Sequence, residues 1–407
     1  MRALLAAVGT RGDVQPALAL ALELRNLGHA ARLCVSPNFV DWVKSHGVEA
    51  IPMGVEMRMP QQTGSMLRPT PEQLRRLRPS APDLITDQFE TIGPAAHGCD
   101  VIVGANAHQY AAPSIAQRAG IGYVTAVYAP VAVPSAELGP PPAPGQPEDG
   151  ASGASIEERW RMTARAWNER ALERINHHRD RMGLLPIDDV LGYVLTDHPW
   201  LAADAALAPV PVTPGREIFQ TGAWVLANAT PLPIDLEAFL GRDEPPVFAG
   251  FGSMPAAGDV SRKLIGAVRA VGRRIVLSRG WAELELTDDR SDCLAIGDVS
   301  HDLLFPRVAA VVHHGGAGTT AAAARAGIPQ VITPLFSDQF YWASRVVHLG
   351  IGVTTPFATL TEEALTKALH AALDSGVVVR AQALANRIDR NGAQRAARRL
   401  DDNYGRR

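Results

Sequence analysis

The chain has 407 residues, which is long for one domain and favours two. Its 39 Lys and Arg residues nearly balance 42 Asp and Glu residues, and the formal net charge is −3 at pH 7. This balance argues against the basic surface that draws a protein to nucleic acid or an anionic membrane, so we expect small-molecule partners and no nucleic-acid partner.

The first 130 residues alternate short apolar runs with helical patterns. MRALLAAV is predicted as a strand, GTRG as a turn, and DVQPALALALELRNLGH as a helix, because its apolar residues recur near helical spacing. Further predicted strands, with helices between them, are AARLCVS, VEAIPM, DVIVGAN and YVTAVY. This alternation is typical of a doubly wound parallel sheet.

Two segments interrupt the alternation. Residues 56–82 lack a regular pattern and are predicted as an excursion from the sheet. Residues 134–153 are too rich in proline and glycine for a strand or helix interior, so we predict a long loop there. Such a loop can be a lid, a binding loop or a plain insertion, and the sequence leaves these alternatives open.

The pattern restarts in the second half of the chain. After a helical region at about 155–182, residues 227–246 carry the prolines and charges of an interdomain connection. The predicted strands that follow are VFAGFGSM, RRIVLSRG, LAIG, VAAVVHH and PQVITP, again alternating with helices. We therefore predict two α/β halves joined near residue 235.

Cysteine usage and the N-terminus bear on the compartment. Cys34, Cys99 and Cys293 are widely separated, without the spacing of a zinc or redox site and too few for a disulfide scaffold. No stretch approaches the roughly 20 apolar residues of a membrane span. We predict a cytoplasmic protein without stable membrane insertion.

The segment HHGGAGTT follows a predicted strand and enters a predicted helix. It places His313 and His314 at the strand end, glycines in the turn, and Thr319 and Thr320 at the helix start. Ligands of open parallel sheets bind beyond the carboxyl ends of the strands, and a helix start offers unpaired N–H groups and partial positive charge. A diphosphate suits this site. The alternative is that Thr319 caps the helix and the histidines are packed polar residues.

The segment from Ile296 to Gln339 resembles the donor-binding signature of nucleotide-sugar glycosyltransferases of the GT-B fold. Its parts follow the family's order: the base-recognition loop GDVSH, the diphosphate turn HHGGAGTT, GIPQVITP and a terminal Asp-Gln. Similarity extends to GTRGDVQP, YVLTDHPWLAADAALAP, QTGAW and LSRGWAEL. The combination is similar to actinobacterial natural-product glycosyltransferases, above all those acting on glycopeptide antibiotic aglycones. Residues 55–80 and 105–160 match least and are expected to shape the acceptor site.

This resemblance implies an α/β fold of two Rossmann-like, doubly wound parallel-sheet domains facing a central cleft. The implied division is an acceptor-binding domain at 1–225, a linker at 226–246, a nucleotide-sugar-binding domain at 247–385, and a C-terminal helix at 386–407 that packs back on the first domain.

The resemblance also assigns the donor site. His314 is expected to contact the diphosphate, with Arg11 lending positive charge nearby. Ser253 can reach the same phosphates, although a turn or cap role is equally compatible with its position. Backbone or hydroxyl donors are expected from Gly316, Ala317, Gly318 and Thr319.

The remaining donor contacts are expected to involve the base and the sugar. Trp281 and Val299 are candidates for the base environment, with packing as the rival role for Trp281. Asp338 and Gln339 are assigned to sugar hydroxyls, which suit a carboxylate beside an amide; helix capping is the alternative.

Asp13 is the predicted acid-base residue. Attack on the anomeric carbon requires the acceptor hydroxyl to lose a proton, and a carboxylate at a strand-to-helix turn can receive it. An aspartate at a helix start is more commonly an N-cap. Related enzymes often have histidine near this position, whereas the glycopeptide branch presents aspartate, as does this chain.

The sequence gives no sign of a metal site, and no cofactor is expected beyond the nucleotide-sugar co-substrate. No D-x-D triplet occurs, which weighs against a metal-bridged diphosphate, and the helix start with His314 can substitute for the cation. The absence of a nucleophilic carboxylate beside the diphosphate turn favours single displacement with inversion, although Asp338 leaves this point open.

We therefore predict an inverting, metal-independent transferase that moves a hexose or deoxyhexose from a TDP- or UDP-sugar donor to a hydroxyl or phenol of a hydrophobic aglycone. Alternatives are a noncatalytic nucleotide-sugar-binding protein on the same fold and a transferase acting on a polyketide or other hydrophobic acceptor. A Rossmann oxidoreductase is disfavoured because GTRGDVQP lacks the G-x-G-x-x-G register.

Overall fold

The computed structural model describes residues 1–56, 84–106, 108–142, 153–242, 244–253 and 259–405. The predicted excursion at 56–82 and the part of the predicted loop from 143 to 152 therefore lie outside the described residues, apart from Glu56. Among the helices of the described ranges, none is long and apolar enough to cross a membrane.

The first sheet has seven parallel strands in the order β3-β2-β1-β4-β5-β6-β7. Its strands are β1 (Arg2–Ala7), β2 (Ala30–Val35), β3 (Glu49–Pro52), β4 (Val101–Ala105), β5 (Gly122–Val127), β6 (Trp200–Leu201) and β7 (Phe219–Gln220). Its helices are α1 (Arg11–Asn26), α2 (Val40–Ser45), α3 (Leu84–Ala95), α4 (Ala112–Ala119), α5 (Ile156–Arg181) and α6 (Val190–Leu195).

The second sheet has six parallel strands in the order β10-β9-β8-β11-β12-β13. Its strands are β8 (Val247–Gly250), β9 (Ile275–Ser278), β10 (Cys293–Ile296), β11 (Ala310–His313), β12 (Gln330–Ile332) and β13 (Gly352–Thr354). The remaining helices are α7 (Ile234–Leu240), α8 (Val260–Ala270), α9 (His301–Leu304), α10 (Ala317–Ala326), α11 (Gln339–His348), α12 (Glu362–Ala372), α13 (Ser375–Ala385) and α14 (Gly392–Tyr404).

The predicted fold class is confirmed, because both sheets have the strand order of doubly wound α/β folds. The central strands are apolar throughout, as in β1, where every residue from Ala3 to Ala7 is buried. Helices that cover both faces of a parallel sheet leave no solvated face, so a continuous apolar run replaces the alternating pattern of a surface strand.

Prediction and structure differ locally, as two helices illustrate. Helix α1 begins at Arg11, inside the segment predicted as a turn, with Thr10 in an extended conformation as its N-cap. The predicted connection at 227–246 contains helix α7, whose Leu236, Phe239 and Leu240 are buried with Phe248 of the second sheet. Burial of this apolar face explains why the segment is helical despite its prolines and charges.

The carboxyl ends of the two sheets approach each other. Arg11, which follows β1, forms an ion pair with Asp298, which follows β10. Phe39, after β2, stacks on Trp281, after β9, with ring centroids 6.3 Å apart. Ligand sites of such sheets form where the strands end, so these contacts place the two expected binding edges on one cleft.

Helix α14 packs against α1 of the first domain, although it follows the last strand of the second sheet in the chain. Its Ala396, Ala397 and Leu400 are fully buried and share a core cluster with Val14 and Leu18 of α1. The end of the chain thus completes the core of the first domain.

Candidate active site

His313, the last residue of β11, is fully buried and holds the turn that follows it. Its Nε2 lies 2.9 Å from Gln330 Oε1, and its Nδ1 accepts a hydrogen bond from the Gly315 N–H at 3.1 Å. The second bond makes Nδ1 the acceptor and Nε2 the donor. Burial lowers the His313 pKa to about 3, with a smaller contribution from His314. His313 is therefore a neutral structural residue.

His314 differs from its neighbour because its Nδ1 is buried and has no hydrogen-bond partner within the described residues. Burial lowers the His314 pKa to about 4, so the ring is neutral at pH 7. An unpaired buried nitrogen costs free energy unless a ligand or water satisfies it. The His314 side chain can therefore form a hydrogen bond with a bound ligand or water.

Two glycines shape the turn between β11 and α10. Gly315 has φ +92°, and a Cβ at this position would lie 2.8 Å from Ile332 Cγ2. A Cβ at Gly316 would lie 2.6 Å from His314 Nε2. Side chains at these positions would therefore strain the backbone or displace the imidazole.

The start of α10 presents backbone donors beside His314. Gly316 is the N-cap, and the Thr320 N–H donates the first backbone hydrogen bond of the helix to the Gly316 carbonyl at 3.0 Å. The N–H groups of Ala317, Gly318 and Thr319 precede this bond and have no partner within the helix. The Thr320 hydroxyl also donates to the Gly316 carbonyl at 3.0 Å, and Thr320 is buried whereas Thr319 is partly exposed. These donors and the helix dipole favour an anion.

Ser253 lies in the turn after β8, which adjoins β11. Gly250 is in register with His313, and a Cβ at Gly252 would lie 3.5 Å from His314 Cε1. The turn containing Gly252 and Ser253 is thus beside the imidazole. The backbone N–H of Trp281 donates to the Gly252 carbonyl at 2.8 Å, while the Trp281 ring stacks on Phe39 of the first domain.

Val299 and Arg11 lie on the β10 side of the cleft. Val299 is partly buried and packs on the core cluster that contains Phe248 and Phe305. The Arg11 guanidinium pairs with Asp298 and lies 4.9 Å above the Trp42 ring. A cation held by a carboxylate and an aromatic face has part of its charge already compensated.

Asp338 and Gln339 lie at the start of α11, next to the histidine turn. A Cβ at Gly315 would lie 3.1 Å from the Gln339 carbonyl oxygen. Gln339 Oε1 accepts hydrogen bonds from the backbone N–H groups of Leu335 and Phe336, at 2.8 and 3.3 Å, and so fixes the loop before the helix.

The Asp338 carboxyl accepts a hydrogen bond from Trp342 Nε1 at 3.0 Å. Burial raises the Asp338 pKa to about 6, and the negative charge of Asp13 adds to this rise. Asp338 of the second domain and Asp13 of the first domain are thus close enough to interact electrostatically.

Asp13 lies in the first turn of α1, three residues after the N-cap Thr10. Its Oδ2 accepts hydrogen bonds from the Thr10 N–H at 2.7 Å and the Thr10 hydroxyl at 3.2 Å. Burial raises the Asp13 pKa, against the lowering effect of its hydrogen bonds with Asn106 and Thr10. Asp13 is therefore not the N-cap itself but the reciprocal partner of Thr10 in a capping box. This role coexists with the electrostatic features of a general base.

Two further residues contact Asp13 and were not identified from the sequence. Asn106 Nδ2 donates to Asp13 Oδ1, and the Tyr128 hydroxyl donates to the Asp13 carbonyl at 3.0 Å. Both residues directly follow strands, β4 and β5, on the sheet edge where Asp13 follows β1. Their positions as polar residues at strand ends are the signal that would have identified them.

In the described ranges, no group of three or more His, Cys, Asp or Glu side chains is arranged to hold a metal ion.

Among the sequence-predicted residues, the structure brings together His314, the start of α10, Ser253, Asp338 and Gln339. Asp13 faces them from the first domain. Arg11, Trp281 and Val299 lie at the β9 and β10 side of the same cleft.

Family comparison assigns both halves of the chain. Residues 3–135 match the glycosyltransferase family 28 N-terminal domain, and residues 262–394 match the erythromycin biosynthesis protein CIII-like C-terminal domain. Solved structures share the fold over nearly the whole length. The glycotransferase of kitacinnamycin has a TM-score of 0.71 at 19% identity, with 99% of each chain covered. The glycosyltransferase VinC in complex with dTDP has a TM-score of 0.65 at 20% identity, covering 98% of this chain and 100% of VinC.

Curated relatives are more similar in sequence. The chain is 44% identical over 404 residues to the vancomycin aglycone glucosyltransferase of Amycolatopsis orientalis, covering 99% of this chain and 97% of the relative. It is 38% identical over 389 residues to the dTDP-epi-vancosaminyltransferase of the same organism, covering 94% and 92%. The chain therefore belongs to the family of GT-B glycosyltransferases that includes the vancomycin aglycone glucosyltransferase, and it is a glycosyltransferase.

Proposed function

We propose that this glycosyltransferase moves a hexose or deoxyhexose from a TDP- or UDP-sugar to a hydroxyl or phenol of a glycopeptide-type antibiotic aglycone, with inversion and without a metal ion. The names of its relatives support the substrate classes, since they include an aglycone glucosyltransferase and a dTDP-sugar transferase. The VinC complex with dTDP supports a thymidine nucleotide on this fold.

The observation that carries the proposal is the electrostatic proximity of Asp13 to Asp338, whose neighbour Gln339 adjoins the turn that contains His314. The turn offers an unpaired imidazole nitrogen and the N–H groups at the start of α10, which suit a diphosphate. Asp13 approaches from the first domain, within electrostatic range of Asp338 beside that turn. A base and a leaving-group site on opposite sides of a cleft fit direct displacement.

In the proposed step, the acceptor O–H transfers its proton to the Asp13 carboxylate while the acceptor oxygen bonds to the anomeric carbon. The bond from that carbon to the diphosphate oxygen breaks, and its electron pair leaves with the nucleoside diphosphate. Attack opposite the leaving group inverts the anomeric configuration. His314 and the N–H groups of Ala317, Gly318 and Thr319 stabilise the growing negative charge, which supports metal independence.

The environment of Asp13 suits this role. Burial raises its pKa and makes its carboxylate a stronger base than an exposed aspartate. Phenols are better matched to a carboxylate base than aliphatic alcohols are, because their pKa is near 10. General-base help of this kind contributes about 10²- to 10⁴-fold, and the rest comes from positioning and leaving-group stabilisation.

Compartment and domain division are part of the same proposal. Cys34, Cys99 and Cys293 are buried and free, which suits a reducing cytoplasm. We assign acceptor binding to residues 1–225, the connection to 226–246, donor binding to 247–385 and the returning helix to 386–407. Sugar hydroxyls are assigned to Asp338 and Gln339, and the base environment to Trp281 and Val299.

Substitution Asp13→Asn tests the proposal. With a panel of TDP- and UDP-sugars and glycopeptide aglycones, mass spectrometry should show turnover reduced by about 10²-fold or more, because the amide cannot accept the proton. Thermal-shift measurements should show TDP binding retained. Asp180→Asn, an exposed aspartate on α5, is the matched control and should keep full turnover. Full turnover by Asp13→Asn, or no stabilisation of the wild type by any nucleotide, would contradict the assignment.

A further inference from the structure

We infer that Asn106 is a positioning residue that holds the Asp13 carboxyl for proton transfer, an inference that rests on the proposed role of Asp13 as the base. The residue directly follows β4, whereas Asp13 belongs to α1, and 93 positions separate them in the sequence. Their contact therefore joins two elements of the first domain at the edge that faces the donor site.

The hydrogen bonds around Asp13 fix both carboxyl oxygens. Asn106 Nδ2 donates to Oδ1, and Thr10 donates to Oδ2 through its backbone N–H at 2.7 Å and its hydroxyl at 3.2 Å. Rotation of the carboxyl group would break bonds on both sides. A carboxylate has about four acceptor positions. The described residues occupy three of them, and in our proposal the fourth accepts the bond from the acceptor hydroxyl.

The backbone of Asn106 is held in an unusual conformation that presents the amide. Its φ is +74°, in the left-handed region, and its N–H donates to the Ala126 carbonyl of β5 at 2.7 Å. Asparagine tolerates this region better than most residues do. Strained backbone conformations cost free energy, persist only where the surrounding structure fixes them, and cluster at functional sites. Both the residue type and the strained backbone thus serve the contact with Asp13.

Asn106 also opposes the effect of burial on Asp13. Burial raises the Asp13 pKa, and the hydrogen bond from Asn106 is the largest opposing contribution. In the described part of the chain, two titratable groups interact with Asp13 from other elements. Tyr128, at the end of β5, is neutral because burial raises its pKa well above 10, and the other group is Asp338, before α11. Without the Asn106 donor, the Asp13 pKa would rise further, and less carboxylate would be available at a given pH.

Asn106→Gly is the principal variant, because glycine adopts positive φ without strain and lacks the side-chain amide that contacts Asp13. We expect the acidic limb of the kcat/KM profile to move up by about one pH unit and kcat at its plateau to fall about tenfold, because the bond to the charged carboxyl is lost. Thr196→Gly makes the same kind of exchange at another left-handed position of the first domain and should leave the profile unchanged.

Two variants separate Asn106 from its neighbours. Asn106→Asp keeps the shape but places a second carboxyl against Asp13, and we expect a larger upward shift of the acidic limb than with glycine. Asp338→Asn should leave the limb assigned to Asp13 in place or move it down, because a nearby negative charge is removed. A limb that disappears in Asp338→Asn belongs to Asp338 and would overturn the assignment.

A double-mutant cycle distinguishes positioning from support of the fold. In an Asp13→Ala background, Asn106→Gly should change the residual turnover less than twofold, since its partner is absent. An equal loss in both backgrounds, or an unchanged limb and kcat in Asn106→Gly while Asp13→Asn is inactive, would overturn the inference alone. Full turnover by Asp13→Asn would instead remove the proposed base and the inference together. TDP binding and the thermal midpoint verify that each variant is folded.

Discussion

His313 and His314 are adjacent in sequence but have different environments at the end of β11. Both His313 ring nitrogens are engaged, by Gln330 and by the Gly315 N–H. His314 Nδ1 is buried without a partner in the described part of the chain. The first ring therefore stabilises the turn, and the second presents a hydrogen-bonding nitrogen where the donor diphosphate is proposed to bind.

Substitution His314→Ala should reduce kcat by about 10²- to 10³-fold, as for loss of a preorganised donor to a developing negative charge. Because burial lowers the His314 pKa to about 4, the ring stays neutral above that pH. Steady-state rates should show a similar fold loss at each pH from about 6 to 8, since His314 does not titrate in that window.

The exposed His370 on α12 provides the matched control, and His370→Ala should keep wild-type rates. A rate profile with a limb between about pH 6 and 8 that disappears in His314→Ala would contradict a neutral ring in the working enzyme.

Sequence reasoning proposed the residues of the turn after β11 as donor contacts but did not identify Asn106. Most of the proposed donor residues fall within one segment, from Ile296 to Gln339, so a family motif can identify them together. The contact of Asn106 with Asp13 depends on the pairing of β1 with β4, which brings together positions 93 residues apart. No local sequence pattern indicates which strands pair, although the sequence shows that Asn106 is a polar residue at the end of a predicted strand.

At the scale of elements, the turn between β11 and α10 depends on glycine for a geometric reason. Gly315 has positive φ, and its α-carbon faces Ile332 of the neighbouring strand. Gly318 lies in the first turn of α10, and a Cβ added there would have no neighbouring atom within 4 Å. The same residue type thus has different structural importance at two nearby positions.

Substitution Gly315→Ala should lower the free energy of unfolding by about 1–3 kcal/mol, because alanine is strained at φ +92° and would contact Ile332. Gly318→Ala should not destabilise the protein, since alanine has the higher helix propensity. Urea unfolding followed by circular dichroism measures both. Equal stability losses in the two variants would contradict the geometric argument.

The elements themselves were largely predictable, because buried parallel strands are continuous apolar runs and the helices between them keep a helical period. Helix α7 was missed, since prolines and charges surround its short apolar face. Strand order was predictable only through the fold class, because hydrogen-bond partners between strands leave no periodic signal in either strand alone.

At the scale of the whole molecule, the cleft is bridged by the ion pair between Arg11 and Asp298 and by the stack of Phe39 on Trp281. The Asp298 side chain is 76% exposed, so this ion pair contributes little to stability. Its effect on ligand binding is larger in our proposal, because Arg11 is also expected to lend charge to the donor phosphates.

Substitution Asp298→Asn should therefore strengthen TDP binding about two- to tenfold at low salt, while changing the thermal midpoint little. Calorimetric titration at low and high salt measures this, and the gain should shrink as salt screens the charges. Glu237→Gln, which removes an exposed ion pair between α7 of the connection and Arg307 of the second domain, should leave TDP affinity unchanged. Weaker TDP binding by Asp298→Asn would mean that Asp298 itself contributes to the donor site.

The packing of α14 on α1 has a consequence for biosynthesis. The helix that bears Asp13 is synthesised long before α14, yet the apolar face around Val14 and Leu18 is covered by residues of α14. During translation that face stays without its native cover until Leu400 and its neighbours have emerged. The core of the first domain is thus completed only after the second domain has been synthesised.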